Sequence, residues 1–252
     1  MGSEQASATT IVTTTIKFSD TEYRDADWSI PDLTDVIFAG QMLTGGHPGR
    51  FRRLVMASNE DGVWVPNLNN TFVYNPRAGA ILSVTYDIDV EALNGFGAGV
   101  YVPLIQQSGI LYIARDDINS NAFGGGCDGT PACWRNHLFE PAVASLFIRL
   151  AGLRDGKLGP PPDFSTSGSP ITFGYAVSAP GTGFFNVDGG IDNDPITLTI
   201  IPSVPSVSVP EGSTLGLFGI GIEVLFVMRR KAHRVSRSGR VVAKAVQRWR
   251  SG

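Results

Sequence analysis

A sequence of 252 residues with two cysteines, three histidines and only 17% charged residues is short of several things at once. Two cysteines cannot staple a disulfide-rich scaffold, so the fold must rest on a packed core. Three histidines, of which His233 sits among the cations near the C-terminal end, exclude a His-rich metal centre. Long helical apolar periods are missing from residues 10–201, and so is any repeat of 20–50 residues. The opening stretch MGSEQASATTIVTTTIKF has neither a positive n-region nor an apolar run of seven, so it does not read as a secretory signal peptide.

Glycine (30) and proline (16) are plentiful beside 42% hydrophobic residues, the balance of a turn-rich β protein with a core. Short β-branched or aromatic runs bounded by Gly, Pro, Asn or Asp predict strands at Thr10–Phe18, Val36–Ala39, Phe51–Ala57, Ala80–Ile88, Gly99–Ile105, Ile110–Arg115, Ile171–Val177 and Ile196–Ile201. Val143–Leu150 reads as strand or helix. Alternation over Ile81–Asp89 puts Asp87 and Asp89 on one face, as in a sheet with one solvated side. About ten strands in about 190 residues favour one β-sandwich over residues 10–201, after a disordered 1–9, rather than several small domains.

The formal charge of −3 hides an asymmetry. Residues 229–252 hold nine Lys or Arg and no acid, which leaves 11 basic against 23 acidic residues upstream. Leu215 opens the apolar run LGLFGIGIEVLFVM, which ends at Arg229, Arg230 and Lys231. From Glu211 to Met228 a helix would span about 27 Å, near the hydrocarbon thickness of a bilayer. Nine Leu, Ile, Phe and Val residues supply about −3 to −5 kcal/mol of insertion energy, against a cost on the order of 3 kcal/mol for Glu223 at the centre. The segment 213–228 therefore reads as a transmembrane helix, the alternative being a buried core element. Cations on its C-terminal side place the tail 232–252 in the cytoplasm and residues 1–210 across the membrane. Pro202, Pro205 and Pro210 make 202–209 an extended spacer. The tail's position beside the helix assigns its charges, and an amphipathic Val241–Trp249, to anionic lipid headgroups and not to nucleic acid.

The order Val209, Pro210, Glu211, Gly212, Ser213, Thr214, then a glycine-containing apolar helix, then Arg229, Arg230 and Lys231, resembles the PEP-CTERM sorting signal of Gram-negative bacteria. Gly212 stands where that signal has its second proline, and the tail runs on to Gly252. The resemblance implies recognition of Pro210 and Glu211 by an exosortase, and a surface or extracellular-matrix destination. Outward sorting would then call for a start upstream of Met1 or for first residues that replace the natural ones; the alternative is late insertion of the C-terminal helix as a tail anchor. In the latter case residues 1–210 stay cytoplasmic and escape processing.

Residues 18–200 carry a second resemblance. Phe18–Trp28 (FSDTEYRDADW), Gly45–Arg52 (GGHPGRFR), Pro162–Ser165 with Ile171–Gly174, and Gly190–Asn193 occur in the order seen in many PEP-CTERM ectodomains, lectin-like jelly rolls of the concanavalin or laminin-G type. In such folds the first and last strands pair and acids near both ends hold calcium. The positions here are Asp20, Glu22, Asp192, Asn193 and Asp194, whose other reading is as turn-forming residues. Sugar binding in these folds uses aromatic platforms, and Trp64 and Trp134 are the candidates expected to be exposed, making a polysaccharide the expected partner. Cys127 and Cys133, in a Gly- and Pro-rich loop, form either a disulfide or two free thiols. No Glu-x-Asp-x-x-Glu motif of concanavalin-like glycoside hydrolases is present, and Gly95–Gly99 precedes a strand where a phosphate loop precedes a helix. The expectation is a non-enzymatic, envelope-directed, glycan-binding β-sandwich.

Overall fold

The structure, a computed structural model, describes residues 11–47, 49–57, 63–93, 99–114, 121–123, 134–179, 186–192 and 194–203. All of them belong to one compact unit, Met1–Val204. The sorting signal, its helix at 213–228, the basic tail, Asn193, Cys127 and Cys133 lie outside the described residues.

The fourteen strands described are β1 (Thr14–Phe18), β2 (Trp28–Ser29), β3 (Val36–Gly46), β4 (Gly49–Ala57), β5 (Val63–Tyr74), β6 (Gly79–Ala92), β7 (Gly99–Gln107), β8 (Ile110–Ala114), β9 (Asn121–Phe123), β10 (Arg135–Leu138), β11 (Phe147–Arg149), β12 (Ile171–Ala179), β13 (Asn186–Asp192) and β14 (Ile196–Pro202). They form an all-β sandwich. One sheet runs β1-β14-β6-β13-β4-β3 with β10 against β6, and the other runs β11-β8-β7-β12-β5-β2 with β9 against β7. The core between them is built by alternate residues: Val84, Tyr86, Ile88 and Val90 on β6 and Ile196, Leu198 and Ile200 on β14 meet Ile171, Phe173, Tyr175 and Val177 on β12. Phe18 stacks on Phe72 and Phe173 at 5.6 and 5.8 Å, and Trp28 packs on Tyr175 at 5.2 Å. The turn between β7 and β8 is Ser108-Gly109, both at positive φ, the form that matches the twist of a two-residue hairpin.

β13 and β14 are two halves of one line along β6. Gly189–Asp192 pair with Ala92–Asp89, and Ile196–Pro202 pair with Tyr86–Gly79. The pairing register along β6 shifts by one residue between Asp192, opposite Asp89, and Ile196, opposite Tyr86, so the line bulges there, and Asp87 N–H donates to Pro195 O at 3.0 Å. On the far side of the same line β4 borders β13 and β1 borders β14. The segment after β1 leaves the sheet beside the bulge.

Several expectations change. β5 was not predicted, because Pro66, Asn67, Asn69 and Asn70 read as breakers. Pro66 has no β2 partner, as β2 pairs only Leu68 and Asn69, and Asn67 and Asn69 are buried with their amides bonded. β13 was missed for its two glycines. Val143–Leu150 resolves into a 3₁₀ turn at Ala144–Leu146 followed by β11. The spacer starts later than residue 202: Pro202 still pairs with Gly79, and Ser203 N–H donates to Ala78 O. Asp87 and Asp89 do share a face, but β10 runs alongside, so Asp89 is buried and Asn136 Nδ2 donates to both acids at 2.7 and 2.8 Å.

Candidate functional site

Two places gather polar or aromatic side chains. The first is the bulge, where the chain's early acids meet its late ones. Asp20 accepts at Oδ1 from the Glu22 and Tyr23 backbone N–H groups (2.8 and 2.9 Å) and at Oδ2 from Trp28 Nε1 (3.0 Å) and Asn69 Nδ2 (3.3 Å). This capped turn carries Tyr23 at φ 52, an uncommon backbone for a tyrosine. The Asp20 N–H donates to Asp194 Oδ1 at 2.9 Å, tying the end of β1 to the bulge. Asp192 accepts from Tyr23 OH (3.4 Å) and from the His47 N–H. Glu22 lies apart from this cluster in an ion pair with Arg50, with Arg24 at 3.9 Å.

A calcium ion would need six to eight oxygens converging on one point. The described acids do not fit that requirement. Both Asp20 oxygens face N–H donors, Glu22 faces guanidinium groups, and no three Asp, Glu, His or Cys side chains among the described residues group as a metal site. Asp194 is buried, and its Oδ2 has no hydrogen-bond partner among the described residues. Burial first, then the neighbouring Asp20 and Asp192, raise its pKa well above the carboxylate range. Burial likewise raises Tyr23 and Tyr175, and lowers Arg52, which packs on the Trp28 ring at 5.2 Å.

The second place is the outer face of the sheet β11-β8-β7-β12-β5-β2. Residues alternate with those of the core, so β5 turns Trp64, Pro66 and Leu68 outward while β12 turns out Ala176, β7 Val102 and Leu104, and β8 Leu111 and Ile113. Leu68, Val102, Leu104, Ile113 and Ala176 form a buried apolar floor, with Trp64, Val100, Leu111, Ile148 and Leu150 partly buried around it. A cleft of about 510 Å³ is lined by Trp64 and Pro66 on β5, Asp32 after β2, Gly109–Leu111 at the β7–β8 hairpin, and Arg149–Ala151 at the end of β11. From β5 to β11 is four strand spacings, about 19 Å across the sheet. Its size and largely apolar walls with a few polar groups are those of a ligand cleft.

The two expected sugar platforms separate. Trp64 is half-buried and lines the cleft. Trp134 does not offer a free ring: it is 8% exposed, its Nε1 donates to Gly45 O at 3.0 Å, and it packs edge-on to Phe51 at 5.3 Å. Its position beside a glycine-rich cysteine loop suggested a surface residue, but its neighbours in space are the β3–β4 hairpin and Gly190. Pro66, Asp32 and Arg149 were not singled out from the sequence. Arg149 lies in the segment read ambiguously as strand or helix, and nothing local marks Pro66 or Asp32 as facing a cleft.

No family model and no curated protein matches the chain. Among solved structures it is similar to a chain of infectious bursal disease virus, Gx strain (11% identity, TM-score 0.37), covering 75% of this chain and 32% of that one. It is also similar to Caldicellulosiruptor saccharolyticus CBM27-1, solved in complex with mannohexaose (8% identity, TM-score 0.38), covering 71% of this chain and 96% of that one. A third is TmCBM27, a carbohydrate-binding module described for mannan recognition (11% identity, TM-score 0.37), covering 73% of this chain and 98% of that one. At these TM-scores neither ligand nor site carries over to this chain.

Proposed function

We propose that this chain is a non-enzymatic glycan-binding β-sandwich, of lectin-like jelly-roll type, borne on a C-terminal sorting anchor. The observation that supports the binding role is the Trp64-lined cleft across the outer face of the second sheet. An indole face beside an apolar floor suits the C–H face of a pyranose, and the trough's length suits an extended chain of several sugar units over a compact metabolite.

The anchor rests on the sequence. Val209–Thr214, the apolar run and Arg229–Lys231 would hand the protein to an exosortase, with anionic lipids holding the tail. Removing the tail would leave residues 1–210, with 11 basic and 21 acidic residues, as an acidic surface or matrix protein. The test of the binding role is affinity electrophoresis of the protein through gels cast with soluble polysaccharides. Retardation by at least one of them, competed by its free oligosaccharide, is expected, and unretarded migration through a broad panel would refute it.

A further inference from the structure

Asp32 is the one acid among the described lining residues of the cleft, and it is exposed. Its place follows from β2. That strand runs antiparallel to β5, with Trp28 opposite Asn69 and Ser29 opposite Leu68, so the chain beyond it heads toward the start of β5, the end that bears Trp64. The turn that follows fixes the carboxylate: Asp32 Oδ1 accepts from the Thr34 backbone N–H at 3.0 Å and from Thr34 Oγ1 at 2.6 Å. Such a turn orders the side chain before any ligand arrives, which lowers the cost of binding. Arg149, the one cation among the described lining residues, belongs to the opposite edge of the sheet, on β11. It is partly buried and stands opposite the core-facing Tyr112. The distance from β5 to β11, about 19 Å, is more than the screening length of about 8 Å at physiological salt, so the acid sets the charge at the Trp64 end.

Resting on the glycan reading of the cleft, we infer that its ligand is a polysaccharide with some free amino groups, one of whose sugar ammonium groups is received at the Trp64 end by the Asp32 carboxylate. An ammonium has donors and no acceptor, and an ionised carboxylate has acceptors and no donor. The face of an indole attracts a cation as well, through its quadrupole. The two kinds of group that recognise an ammonium therefore meet at one end of the cleft. The acidity of residues 1–210, with 11 basic and 21 acidic residues, acts in the same direction by drawing cationic chains toward the protein and repelling anionic ones. At the far edge Arg149 opposes an ammonium on every unit, so a glycan with only part of its amino groups uncovered suits the trough better than a fully cationic one.

Isothermal titration of the full-length protein with a partially deacetylated chitin oligosaccharide, and with the fully acetylated one of equal length, tests this, because the two probes share a backbone and differ in free amines. Wild type is expected to bind the amino probe at least about tenfold more tightly, an advantage that weakens as salt is raised. Asp32→Asn, which keeps an acceptor for Thr34, removes the advantage without changing affinity for the acetylated probe. Glu140→Gln, which removes an exposed acid just after β10 on the other sheet, leaves the advantage in place and so separates the site from general attraction of cations to an acidic protein. Equal binding of both probes by wild type, a preference untouched in a folded Asp32→Asn, or one lost equally in Glu140→Gln overturns the amino-glycan assignment and leaves the cleft as a neutral-glycan site. Binding of neither probe by a protein that another polysaccharide retards overturns this assignment alone. Binding of neither by a protein retained on no polysaccharide overturns the glycan reading, and this inference falls with it.

Discussion

Asp20 and Asp194, 174 positions apart, meet where the first strand leaves the sheet and the last long strand bulges, and the Asp20 N–H donates to Asp194 Oδ1 at 2.9 Å. This contact closes the sandwich. Everything between the two residues is threaded through both sheets, and the junction is wired by hydrogen bonds to acids.

The buried Asp194 carboxyl has a pH signature. Its folded pKa is raised, so between the ordinary carboxylate range and the folded value the native state holds a proton that the unfolded chain has lost. Stability from this group is therefore present at acidic pH and declines as pH rises toward neutrality. His137, whose pKa burial lowers, acts in the opposite sense, so the informative quantity is a difference between proteins. Asp194→Asn keeps an acceptor for the Asp20 N–H and removes the titration. Its melting midpoint relative to wild type should rise between pH 5 and pH 8, and neither calcium nor chelator should move either protein. A wild-type midpoint raised by calcium would show that these acids are metal ligands after all.

Trp134 is predicted to matter for stability and not for ligand. Trp134→Phe loses the bond to Gly45 O and part of the contact with Phe51, at about 1–2 kcal/mol, while glycan affinity stays unchanged. Gly190→Ala puts a Cβ within 2.8 Å of the Phe51 ring and 2.9 Å of the Trp134 ring, an overpacking cost of about 1–3 kcal/mol. Denaturant melts of the two variants, each titrated with the same glycan, check both statements.

How much of this was legible in the sequence depended on the kind of signal. Strands with alternating apolar residues, such as β6 and β14, could be read because the core face repeats every second position. β5 could not, because its proline and three asparagines are turn residues in isolation and become strand residues only when Arg52, Asp20 and Thr71 satisfy the buried amides at Asn67 and Asn69. The acids at 20, 192 and 194 were legible as a meeting of the two ends of the domain, but the backbone N–H groups that occupy them were not. Trp64 could be named and the cleft around it could not, since its walls come from β2, β5, β8 and β11, elements far apart in sequence.

The sorting proposal makes its own prediction. In its native host the mature protein should end near Pro210, with the segment through Gly252 absent, and should be found outside the inner membrane. Mass spectrometry of the C-terminal peptide decides this. A mature chain that ends at Gly252 would speak for an unprocessed tail anchor.

The measurement that tests the binding site most directly is a titration of wild type and Trp64→Ala with whichever oligosaccharide retards the protein most. Trp64 is half-buried on the outer face, so its loss should leave the fold intact and cost at least about tenfold in affinity, in line with tryptophan anchors at binding sites. An unchanged affinity in a variant that melts like wild type would place the ligand elsewhere and contradict the account.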